Sequence, residues 1–100
     1  MTSNGNSDSR PTVPTFQLIV SPAAAKAFRR LDAVIRRRVA ATLELLREEP
    51  RPAGAKKLTG LDDVWRIRIG AYRLVYAIED DRLLVLVLRI GPRGSAYRGL

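Results

Sequence analysis

The sequence predicts an α+β domain: a small, antiparallel-rich β-sheet covered on one face by an N-terminal helical hairpin, in the order β-α-α-β-β-β. Three observations predict it. A short alternating stretch, FQLIV at 16–20, is followed directly by segments whose apolar residues recur every three or four positions. After a loop punctuated by Pro and Gly come three strand-like stretches, at about 64–69, 72–79 and 83–90, separated only by turn signals. The length of 100 residues leaves room for a single domain.

Residues 1–15, MTSNGNSDSRPTVPT, carry almost nothing that burial could reward, so they read as a disordered leader ahead of a domain at 16–100. In 16–20, Phe16, Leu18 and Val20 share one face and Gln17 and Ile19 the other. Ser21-Pro22 then opens a helix, because serine caps free amides and proline at the first helical position loses no hydrogen bond. That helix runs to about residue 31. Asp32 is the expected cap of a second helix ending near residue 48, where Pro50 stops it. Leu31, Ile35, Val39, Thr42 or Leu43, and Leu46 form its apolar stripe.

The stretch 49–60 holds Pro50, Pro52, Gly54 and Gly60 with Lys56 and Lys57 among them, and reads as a cationic loop. Short links between the three later strands favour antiparallel pairing. LLVLVL has no alternation, which predicts a central strand covered on both faces, whereas the segment around Arg66 and Arg68 alternates and should have one wet face.

The chain has no cysteine and no histidine, which removes disulfides, thiolate chemistry, zinc sites built on those ligands and any mechanism needing an imidazole. Eighteen Lys+Arg against ten Asp+Glu give a net charge of +8 and point to a polyanionic partner, nucleic acid first. No apolar run approaches the roughly 20 residues that cross a bilayer, and the N-terminus lacks a signal-peptide core, so no membrane partner and a cytoplasmic location are expected.

The placement of charge is more informative than its sum. From residue 51 onward the acids are Asp62, Asp63, Glu79, Asp80 and Asp81, all in turns, while strand positions carry Arg66, Arg68, Arg73 and Arg89. Arg66 and Arg68 project from one side of their strand, and Trp65, Ile67 and Ile69 from the other, toward the helices. Pairing through the Gly70 turn brings Arg73 to the side of Arg66 and Arg68. Concentrated like charge costs stability unless a partner neutralises it, and phosphate suits guanidinium donors. Trp65, Tyr72 and Tyr76 read as core or rim, and Arg36, Arg37 and Arg38 as helix surface. Arg89 interrupts the apolar parity of its strand, which reads as an arginine paired with a carboxylate rather than an RNA contact.

The stretches SPAAAKAFRRL, KKLTGLDDVWRIRIGAYRLVYAIEDDRLLVLVLRIG and PRGSAYR make the chain resemble the RelE branch of the RelE/ParE toxin superfamily, from type II toxin-antitoxin modules. The likeness covers about residues 16–98. It implies a RelE-like fold and an endoribonuclease that cuts messenger RNA in the ribosomal A site, with no metal and no cofactor. By that resemblance Arg66 and Arg68 take the places of the family's basic catalytic strand residues, where the best-known relatives have lysines. Arg73 matches the phosphate-binding arginine, and Arg93 and Tyr97 the C-terminal arginine and tyrosine. Lys56, Lys57 and Arg98 become RNA contacts. Pro92 stands where many relatives have histidine or lysine.

These residue types suit attack of a ribose 2′-OH on its own 3′-phosphate. Guanidinium groups stabilise a dianionic phosphorane, and a phenol beside several cations ionises more readily, which suits Tyr97 to the role of general base. The implied partners are the ribosome, its mRNA and a cognate antitoxin covering the cationic face, in an assembly that could be a heterotetramer. The same residues admit two other functions: a ParE-like inhibitor of DNA gyrase, or a non-catalytic corepressor that binds its antitoxin.

Overall fold

The computed structural model describes residues 15–92, and its α-helices and strands follow the predicted order with one addition, while the turn after residue 79 is a single 3-10 turn at Asp80–Arg82. β1 (Gln17–Val20) leads into α1 (Pro22–Arg30) and α2 (Ala33–Glu48). β2 (Lys56–Lys57), β3 (Val64–Ile69), β4 (Tyr72–Glu79) and β5 (Leu84–Pro92) complete a five-stranded sheet in the order β1-β5-β4-β3-β2. β1 is parallel to β5 and the other neighbours are antiparallel. The expected leader, apart from Thr15, lies outside the described residues. The addition is β2. Lys56 and Lys57, expected in a loop, pair with Arg66 and Trp65, and the Leu58 N–H continues the pairing to the Val64 carbonyl at 2.8 Å. A short edge strand made of lysines offers little to a second sheet.

Ser21 starts α1 as its sequence suggests: its backbone is extended, its Oγ accepts the Ala24 N–H at 3.1 Å, and Pro22 occupies the first turn. Asp32 also precedes its helix, but its carboxylate makes no capping bond. The helix start is fastened from further along. Arg36 donates from its guanidinium to the Leu31 carbonyl at 2.7 Å and from its backbone N–H to the Asp32 carbonyl at 2.9 Å.

The stripe on α2 is buried at Val39, Leu43 and Leu46 and half-buried at Ile35, with Leu31 closing the hairpin. Leu43 faces inward, while the Thr42 hydroxyl donates to the Arg38 carbonyl at 3.0 Å. Against this layer lie Ile67 and Ile69 of β3, Leu74, Tyr76 and Ile78 of β4, and Val85, Val87 and Ile90 of β5. Each fully buried aliphatic side chain among them contributes about 1.5–3 kcal/mol. Trp65 and Tyr72 pack half-buried at the margin; Tyr76 is fully buried and donates its hydroxyl to the Pro50 carbonyl at 2.7 Å. β5 is interior but β4 is the central strand, and Leu86 and Leu88 of β5 are only half-buried, so cover on its second face is incomplete.

One irregularity decides which way β5 presents its charge. Val85 and Val87 face the helices, so unbroken alternation would aim Arg89 into the core. Instead Tyr76 pairs with Val87 and Val75 with Arg89, leaving Leu88 as a bulged residue. Arg89 is thereby turned to the face away from the helices and Ile90 to the core. Ser21 secures the bulge: its Oγ donates to the Leu88 carbonyl at 3.0 Å and its N–H to the Val87 carbonyl at 2.9 Å.

A second fastening sits at the other end of β4. Arg51 donates to both carboxylate oxygens of Asp80, at 3.1 and 2.8 Å, and to Asp63 at 2.9 Å, with its guanidinium 5.5 Å from the centre of the Trp65 ring. The Trp65 indole N–H donates to the same Asp63 oxygen at 3.1 Å. These donors hold the Asp63 carboxyl below its usual range, Trp65 first and Arg51 second, and Arg51 does the same to Asp80.

Tyr76→Phe strands a buried carbonyl and should cost about 1–2 kcal/mol in urea unfolding at neutral pH. Because burial pushes the Tyr76 phenol up to about 12, this deficit relative to wild type should hold below about pH 10 and close as pH rises toward 12. For the Arg51 clamp the sign is opposite. Its carboxylates are depressed, so the stability gap between wild type and Arg51→Gln should be full above about pH 4 and vanish as the solution is acidified further, as followed by thermal unfolding.

Candidate functional site

The face of the sheet turned away from the helices is where the cations gather, and strand register dictates the grouping. Lys56 pairs with Arg66, Arg66 with Val75, and Val75 with Arg89, so these four residues form one row across β2, β3, β4 and β5. The next row places Arg68 directly opposite Arg73, with Gly91 beyond it. Residues paired across strands share a face. The row therefore collects Lys56, Arg66 and Arg89, and its neighbour adds Arg68 and Arg73. Lys57 pairs with Trp65 and falls on the helix side.

Arg68 is exposed, and Arg66, Arg73 and Arg89 are half-buried. Between Arg66 and Arg89 in register, Val75 is fully buried. Arginine stems lying along an apolar residue keep their charged ends toward water. The tight turn at Gly70, whose φ is +62°, joins β3 to β4 and makes the Arg68–Arg73 pairing unavoidable. Arg38 of α2 comes to the same turn: its Nη1 lies 3.2 Å from the point a Cβ on Gly70 would occupy.

Among the described residues, Lys56, Arg66, Arg68 and Arg89 form no ion pair. Four of the described acids are engaged elsewhere: Asp63 and Asp80 with Arg51, Glu79 with Arg82 at 3.6 Å, and Glu44 with Arg47 at 3.3 Å. The carboxylate expected beside Arg89 is therefore missing among the described residues: the bulge delivers this side chain next to Val75, in the row of Arg66 and Lys56, with Glu79 at the far end of β4. Arg89 is also the member of the group that sequence reasoning passed over. Its signal was the break in apolar parity at 89, which a bulge resolves as well as an ion pair does. Arg93, Tyr97 and Arg98 lie outside the described residues.

Such a face can bind phosphate oxygens through paired N–H donors and stabilise charge that develops on them, and its guanidinium groups cannot remove a proton. Among the described residues no three His, Cys, Asp or Glu come together as a metal site, and no helix is long and apolar enough to cross a membrane.

Two helices on one side of a small mixed sheet and guanidinium groups on the other place the chain in a known class. Residues 18–97 match the family described as ParE toxin of type II toxin-antitoxin system, parDE, so the chain is by class a toxin of a type II toxin-antitoxin module. It is 35% identical over 72 residues to mRNA interferase toxin RelE of Escherichia coli (strain K12), covering 70% of this chain and 75% of that protein. The archaeal RelE-RelB complex from Pyrococcus horikoshii OT3 contains a chain that superposes with a TM-score of 0.73 at 29% identity, over 82% of this chain and 99% of that one. For the intact E. coli RelBE toxin-antitoxin complex the TM-score is 0.68 at 32% identity, over 78% and 95%. The chain belongs to the RelE/ParE toxin superfamily, in its RelE branch.

Arg68 and Arg73 repel across one strand pair. Arg68→Gln should therefore raise unfolding stability by on the order of a few tenths of a kcal/mol at low ionic strength. Thermal melts at low and high salt should show the gain disappearing as salt screens the pair.

Proposed function

We propose that this chain is an mRNA interferase that cleaves messenger RNA on the ribosome, in the A site, by metal-independent attack of a ribose 2′-OH on the adjacent phosphate. One observation carries the reading: Arg66, Arg68 and Arg73 share a single sheet face, and Arg66 and Arg68 form no ion pair among the described residues. The similarity to a protein named mRNA interferase toxin RelE supports it.

In this mechanism Arg73 grips the scissile phosphate while Arg66 and Arg68 neutralise charge on the phosphorane. The 2′-oxygen bonds to phosphorus as Tyr97 accepts its proton, and the bond from phosphorus to the 5′-oxygen breaks. Arg93 stabilises that departing oxygen, which takes up a proton from water, and the upstream fragment ends in a 2′,3′-cyclic phosphate. Lys56, Lys57 and Arg98 contact RNA electrostatically. A cognate antitoxin, as in the RelE-RelB complexes, holds the toxin inactive in the cytoplasm by covering the arginine face.

Induction of the chain without an antitoxin should arrest growth, and primer extension should reveal new mRNA 5′ ends. Arg73→Ala and Tyr97→Phe should each lower cleavage about 10²-fold or more while remaining folded. The matched family's description names ParE. DNA damage with intact mRNA would accordingly favour gyrase inhibition, and harmless overexpression a corepressor.

A further inference from the structure

We infer that Arg89 forms a second phosphate-binding site on the sheet face, holding an internucleotide phosphate of the RNA next to the scissile one. The inference rests on the nuclease reading and adds a residue and a subsite to it.

Four observations converge on Arg89. The bulge at Leu88 reverses its direction, away from a core it would otherwise enter and onto the face of Arg66, Arg68 and Arg73. That direction is held, since Ser21 bonds the carbonyls of both Val87 and Leu88. Arg89 has no carboxylate partner among the described residues, although acids elsewhere are paired. Its half-buried side chain stands beside Val75, in the same row as Arg66 and Lys56.

Donor capacity, more than spacing, assigns it to a different phosphate, since Arg73 is its diagonal neighbour across β4 and β5. Arg66 and Arg89 are separated by one intervening strand, so their backbones are about 10 Å apart. A phosphodiester presents two non-bridging oxygens, and the forked donors of Arg66, Arg68 and Arg73 already exceed what those oxygens accept. Arg89, on the far side of Val75, is left to meet the neighbouring linkage. Like charge at four strand positions is tolerable if a polyanion crosses the face with more than one phosphate on it. Arg89 would then secure substrate without taking part in the chemistry.

The test is steady-state cleavage of mRNA on programmed ribosomes by the full chain, with KM and kcat separated. Substrates carry one uncharged methylphosphonate linkage on either side of the scissile bond. Arg89→Gln should raise KM about tenfold with kcat unchanged. Arg89→Lys should recover most of that loss. One of the two neutral linkages should weaken wild type by a similar factor and leave Arg89→Gln unaffected. Unchanged KM in Arg89→Gln overturns the inference while the nuclease reading stands. Equal losses in Arg89→Gln and Arg89→Lys, blind to linkage charge, mark a structural role and overturn it too. If wild type cleaves no mRNA, the nuclease reading fails and takes the second site with it.

Discussion

The hydroxyl of Ser21 joins two features that would otherwise be independent: the Ala24 amide in the first turn of α1 and the displaced carbonyl of Leu88. A β-strand can serve two unlike faces only through strict alternation, and β5 departs from it at a single residue. Without that departure, Val85 and Val87 on the core side would commit Arg89 to an apolar interior, at a cost of several kcal/mol for an unpaired buried charge. With it, Ile90 fills the core and the guanidinium reaches water. The sheet thus keeps a core side and, from β2 to β5, a cationic side, because the strand-to-helix junction pins the slip.

A complementary separation governs the acids. Arg51, which belongs to the linker after α2, gathers Asp63 and Asp80 from the turns at one end of the sheet and covers the Trp65 ring. The clamp ties three loops together, and it also removes carboxylates that could otherwise neutralise the arginine face. Stability and charge segregation are served by the same contact. The Arg68–Arg73 pairing lies over the apolar layer, where Leu74, Val87 and Tyr76 are completely buried.

Much of this was legible in the residues. The β3 and β4 limits, the Ser21-Pro22 junction and the α2 stripe follow from periodicity and capping chemistry, which act locally. The clustering of Arg66, Arg68 and Arg73 follows from parity plus one tight turn. What escaped is non-local. β2 has two residues, too few to show a period, and exists only because β3 lies beside it. The bulge at Leu88 depends on a serine 67 positions away, so the parity break at Arg89 suggested an ion pair instead of a change of face. The bare carboxylate of Asp32 likewise reflects Arg36 taking over the fastening of the hairpin.

The rows on the open face are built from arginine and one lysine, in a chain that contains no histidine. Guanidinium groups do not gain or lose protons in any living compartment. The positive charge of this face is therefore a fixed property of its arginines. What can offset it is the negative charge of a second molecule laid across the sheet.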